Sequence, residues 1–158
     1  MASKKQRLKE LSGNWIASEI SVRYKTGVIC KEPINCSRDA YALFLAIWDK
    51  ERINLQEQVI ALLMNRRGKA IGYRIIATGS KDSTSVDVQL IASLALHTLA
   101  TTVIIAHNHP SGSLRPSEAD IALTKKIKNA LNLIDVKLLD HLIISESEYL
   151  SMNSEGLV

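Results

Sequence analysis

The chain has 158 residues and no Cys-x-x-Cys pair; its two cysteines are Cys30 and Cys36. That excludes a cysteine-based zinc site and a redox dithiol, and leaves two free thiols in a reducing compartment as the expectation. No apolar stretch approaches the ~20 residues needed to cross a bilayer. The longest clearly apolar run is Val59 to Met64. The charged start Met-Ala-Ser-Lys-Lys-Gln-Arg leads into no apolar signal core, so a cytoplasmic protein is expected. No internal repeat or low-complexity tract is visible, which argues against a solenoid or a disordered chain. A large excess of one charge is also missing: 20 Lys and Arg stand against 16 Asp and Glu, a net charge of +4. Lys4, Lys5, Arg7 and Lys9 form a basic arm. Such an arm can touch nucleic acid, but a solvated terminus is the simpler reading.

The chain has ordinary globular composition, 46% hydrophobic and 23% charged, and a length that suits one compact domain. Residues 1–36 read as an N-terminal extension: a short polar helix over 3–11, then a strand in which Ile16, Ser18, Ile20, Val22 and Tyr24 alternate with their neighbours. Residues 37–158 read as the main domain. Ser37 predicts a helix N-cap before the stripe Ala40, Leu43, Phe44, Ile47 and Trp48. Residues 56–64 and 70–78 predict a hairpin through Asn65-Arg66-Arg67-Gly68-Lys69. The first of these strands is apolar on both faces from Val59 onward, which calls for cover on each side of the sheet. A loop over 79–84 precedes a helix over 87–100. Val103 to Ala106 predict a buried strand, Ser117 to about Leu133 a helix, and Val136–Leu139, Leu142–Ile144 and Tyr149–Ser151 three further strands. This alternation gives an α/β sandwich with a mixed sheet.

The chemistry sits in His107-Asn108-His109-Pro110 and Ser117-Glu118-Ala119-Asp120. Side chains at i and i+2 of an extended chain point the same way, so His107 and His109 can face one ion. With Ser117 as N-cap, Asp120 falls in the first helical turn, where a carboxylate is favoured and can be aimed back at the histidines. Two nitrogens and one oxygen leave a position for water, the pattern of a catalytic zinc rather than a closed structural one. One Zn2+ per chain is therefore expected. The water needs a proton acceptor. Glu57 heads a strand that otherwise belongs in the core, but spacing alone does not choose it over Glu51 or Asp87. The Ser117 oxygen can accept from the helix backbone while its hydrogen stays free for an oxyanion, or Ser117 can be a cap alone. His97 has no partner at ligand spacing and is expected on a helix surface. Asp140-His141 reads as a turn with a satisfied histidine; support of the metal ligands is the lesser alternative. Lys125, Lys126 and Lys128 read as a solvated helix face.

At these residues the sequence resembles the JAMM metalloproteases, also called MPN or JAB proteins. Their pattern is an upstream Glu, then His-x-His-Pro and Ser-x-x-Asp, met here by Glu57, His107 to Pro110 and Ser117 to Asp120. It is most similar to the bacterial RadC-like branch, through His107 to Gly112, Pro116-Ser117, Asp120, Thr124, Leu138 to His141 and Tyr149 to Ser151. The resemblance runs from about residue 37 to the end. It implies a cytidine-deaminase-like fold, a three-layer sandwich with helices on both faces of a mixed sheet. It also implies zinc-dependent cleavage of peptide or isopeptide bonds. Zinc would bind at His107, His109 and Asp120, with Glu57 as general acid/base and Ser117 steadying the tetrahedral intermediate. The chain departs from the branch in two ways: residues 1–36 are too short and strand-like for the helix-hairpin-helix region of full-length members, and Val59 stands where an aromatic is usual.

The competing function is a nucleic-acid-associated protein, tied to the branch's traditional DNA-repair label or to mobile elements, whose metal site is vestigial. A vestigial site would have lost a ligand or the acid/base, and every motif residue is intact. A zinc deaminase would need His-x-Glu and Pro-Cys-x-x-Cys; the sequence has neither.

Overall fold

The computed structural model describes residues 32–79 and 86–158. The helix expected over 3–11, the strand over 16–24, the basic arm, Cys30 and most of the 79–84 loop lie outside them. The elements run α1 Ser37–Ile47, β1 Gln58–Met64, β2 Ala70–Thr78, α2 Val88–Thr98, β3 Thr102–Asn108, α3 Glu118–Asn132, β4 Lys137–Ile144 and β5 Tyr149–Ser151.

The strands form one mixed sheet in the order β2-β1-β3-β4-β5. Among the described strands only β3 and β4 pair in parallel, because α3 crosses between them; the other neighbours are antiparallel. β1, in the interior of the sheet, is buried along its whole length, as its two-sided apolar sequence requires. α1 covers one face with Ala40 and Phe44, against Ile60, Leu62, Ile104, Ala106, Leu142 and Ile144. α2 and α3 cover the other with Ile91, Ala95, Ile127 and Leu131, against Ala61, Leu63, Val103 and Ile105. The expected three-layer α/β sandwich is therefore present. Among the described residues no helix is long and apolar enough to cross a membrane.

Two sequence readings change. Ser37 is the first residue of α1 rather than its cap; the cap position is Cys36, which makes no side-chain capping bond. The Ser37 hydroxyl donates to Asp140 Oδ2 at 3.0 Å, a bond to a charged acceptor. Asp140-His141 is no turn, but lies inside the continuous strand β4. A register shift makes this workable: Val103 faces Leu138, yet Ile104 faces Asp140, so Leu139 is an extra residue. Such a bulge swaps the faces of everything after it. Leu139 and Asp140 both turn toward α1, where Asp140 meets Ser37. His141 turns toward α3, where it meets Thr124.

Candidate metal centre

β3 ends where the parallel strands open onto the N-terminus of α3, the crevice in which open α/β sheets place their ligand sites. His107 is the buried penultimate residue of β3, and His109 follows the strand directly. Asp120 enters from α3. Its position is fixed by a reciprocal cap: the Ser117 Oγ accepts from the Asp120 N–H at 3.1 Å, and Asp120 Oδ2 accepts from the Ser117 N–H at 2.7 Å. The capping residues thus set the direction of the carboxylate. Of the two sequence readings of Ser117, a hydroxyl with its hydrogen free for an oxyanion or a cap alone, the capping contacts are present, and the hydroxyl hydrogen is donated to Asp120 Oδ2 at 2.6 Å.

The three donor groups close a triangle. His107 Nε2 lies 3.1 Å from His109 Nε2 and 3.3 Å from Asp120 Oδ1; His109 Nε2 lies 3.5 Å from Asp120 Oδ2. A tetrahedral ion with nitrogen and oxygen ligands at ~2.0–2.1 Å separates them by about 3.3–3.4 Å. Asp120 enters these distances through both of its oxygens; with one donor atom from each residue, the three lie within 4.8 Å of one another, so the set suits such an ion by donor type and these residues could hold a metal ion.

Electrostatics point the same way. Burial opposes ionisation of Asp120, but the neighbouring His107, His109 and Ser117 outweigh it and hold the carboxyl far below its ordinary range. The bond to Asp120 raises the pKa of His109 against the opposing effect of burial.

Both histidines are oriented through Nδ1. His109 Nδ1 lies 2.8 Å from the Ser113 carbonyl oxygen, an acceptor only, so Nδ1 carries the proton. His107 Nδ1 lies 2.8 Å from His141 Nε2, and His141 Nδ1 lies 2.6 Å from Thr124 Oγ1. The Thr124 hydroxyl donates to the Asp120 carbonyl at 2.6 Å. With its only hydrogen used there, Thr124 must accept from His141 Nδ1–H. His141 Nε2 then accepts from His107 Nδ1–H, and the His107 Nε2 lone pair is directed at the triangle. Burial, with the neighbouring His107 adding to it, pushes the His141 pKa well below the ordinary value, so the ring is neutral as the relay requires. The lesser sequence alternative for His141 is thus the one its contacts support. The sequence carried only part of the signal, a histidine directly before the apolar run Leu142–Ile144.

Glu57 immediately precedes β1 and lines an open cleft of about 450 Å³ together with Asn54, His109, Pro110 and Ser111. Of the other two acids, Asp87 caps α2 through the Leu90 N–H, and Glu51 is exposed in the turn before β1. Asn108, read in the sequence only as the spacer between two ligands, is fully buried. Its side chain bonds the backbone on both sides of Glu57. His97 is exposed near Ser93, and Lys125 and Lys126 are exposed on α3.

Residues 34–157 match the model of the RadC-like JAB domain. The UPF0758 protein of Flavobacterium johnsoniae is 40% identical over 142 residues, covering 89% of this chain and 61% of its own length. That of Porphyromonas gingivalis is 45% identical over 104 residues, covering 65% of this chain and 46% of its own length. The chain thus spans about half to three fifths of these curated relatives.

Proposed function

The chain belongs to the RadC-like JAB domain family, and from that premise we propose that it is a zinc-dependent hydrolase that cleaves a peptide or isopeptide bond. The observation that carries this reading is the donor triangle, with Glu57 lining the same cleft as His109. Zinc held by His107, His109 and Asp120 would supply Lewis acidity and a water acidified toward neutral pH.

The remaining roles belong to the chain. Glu57, carrying no hydrogen when ionised, can accept a proton from water and return it to a leaving amine. Ser117 can donate to a developing oxyanion only by releasing Asp120 Oδ2, so its bond there is the one to be exchanged during turnover. The cleft falls within the range of about 300–1,000 Å³ usual for ligand sites, and its openness suits a chain passing through better than a small enclosed molecule.

The test is direct. The purified chain is stripped, reloaded with zinc and given fluorogenic peptides and lysine ε-linked isopeptides. Cleavage that a chelator abolishes and zinc restores is expected. Failure to take up zinc, or zinc uptake with every substrate left intact, would overturn the reading.

A further inference from the structure

We propose that Asn108 is a positioning residue that holds Glu57 at the metal centre by clasping the backbone on both sides of it. The role assigned to Glu57 rests on the hydrolase reading above; the clasp rests on contacts alone. Successive residues of β3 point to opposite faces of the sheet. His107 follows Ile105 and Val103 on the face covered by α2 and α3, whereas Asn108 follows Ala106 and Ile104 on the face covered by α1. A polar side chain placed in that apolar row has to be satisfied locally.

Asn108 is satisfied by the segment leading into β1. Its Oδ1 accepts from the Gln58 N–H at 2.8 Å. Its Nδ2 donates to the Gln56 carbonyl at 2.9 Å and to the Ile53 carbonyl at 2.6 Å. Three amide hydrogen bonds thus grip residues 53–58, and two of them bracket Glu57. On the other side, the Glu57 carbonyl accepts from the Gly79 N–H at 2.9 Å. The backbone of Glu57 is held from β3 on one side and from the end of β2 on the other. Its carboxylate needs no anchor of its own, which leaves it free to take and release a proton.

The residue between the two histidine ligands therefore ties the ligand strand to the proposed proton acceptor, so that displacement of one carries the other. Serine would be too short to reach all three partners. The carboxylate introduced by Asn108→Asp would keep the acceptor for the Gln58 N–H but lose both donors.

Amide exchange and zinc affinity are measured on the full chain for wild type, Asn108→Ser and Asn108→Asp. In wild type the Asn108 side-chain amide protons should exchange slowly; fast exchange there would overturn the clasp without any variant. In either variant that folds, exchange at Gln58 and across 53–58 should rise at least ~10-fold over β3 and α3, while zinc Kd moves less than about threefold, because the ligands are untouched. A uniform rise across the molecule, or none at 53–58, would overturn it. With a cleavable peptide, turnover should fall, and the Asn108→Ser, Glu57→Gln double variant should be no slower than Glu57→Gln alone, because the clasp acts through Glu57. Additive losses would overturn the positioning role. Full turnover in Glu57→Gln alone would instead remove Glu57 as the proton acceptor, leaving the exchange result to decide the clasp.

Discussion

His141 Nε2 lies 2.8 Å from His107 Nδ1, and this one contact decides which nitrogen of His107 meets the metal site. His141→Leu leaves Nδ1–H without an acceptor in a buried place, so the proton shifts to Nε2, the nitrogen needed by the ion. Zinc affinity should fall by about 10–100-fold, the usual loss when a ligand's orienting partner is removed. His141→Gln keeps an acceptor and should recover most of it. Chelator competition measures both; equal affinities in His141→Leu and wild type would refute the tautomer assignment.

Asp120 serves two functions that can be separated. Asp120→Ala loses the metal and also the acceptor for the Ser117 N–H, one half of the reciprocal cap on α3. Asp120→Asn keeps an acceptor for the Ser117 N–H, so it should retain metal-free stability near wild type while losing zinc. Zinc at 100 times Kd should stabilise wild type by about 2.7 kcal/mol, or roughly 5–10 °C in Tm, and neither variant. Thermal unfolding with and without zinc checks this.

Acidification should release the metal. The His109 pKa is raised in the metal-free protein, chiefly by its bond to Asp120. A protonated ring has no lone pair to offer. Below that raised pKa the ion must displace a proton, and affinity should drop about tenfold per pH unit; above it the curve should flatten. Titrating zinc Kd between pH 5 and pH 9, roughly 1.5–2.5 units either side of a free imidazole, tests the sign. Affinity that rises on acidification would contradict it.

Glu57→Gln should keep full zinc occupancy yet lower turnover by about 10²–10⁴-fold, since an amide still bonds water but cannot take its proton. Zinc content and rate on one preparation distinguish this from a ligand role, in which both would fall.

Asp140 accepts four hydrogen bonds while buried: from Ser37 Oγ, Ser151 Oγ and the N–H groups of His141 and Asn153. Asp140→Ala would remove the acceptor of four donors, from α1, β4 itself and the segment 151–153, and should cost at least about 3 kcal/mol. Urea unfolding gives the value; a loss below 1 kcal/mol, roughly that of a surface change, would show the network to be dispensable.

The metal ligands were legible in the sequence because strand alternation and helix capping act over a few residues. His107 and His109 share a side of an extended chain, and Ser117 caps the turn that holds Asp120. The buried character of β1 was equally visible in its two-sided apolar run. Asn108 and His141 were not, because their meaning depends on partners far along the chain: Ile53 and Gln56 for one, Thr124 and His107 for the other. Ser37 was misplaced for the same reason, its hydroxyl being claimed by Asp140.

The extra residue at Leu139 makes this strand sensitive to length rather than to chemistry. Exchanging Leu139 for another apolar residue alters one contact. Losing it would return the strand to even counting, and every side chain from Asp140 to Ile144 would change sides together. His141 would then point at α1, Asp140 at α3, and both networks would fail in one event. Insertions and deletions should therefore be far less tolerated at this position than substitutions, although Leu139 itself lies on the α1 face, opposite to that of His107.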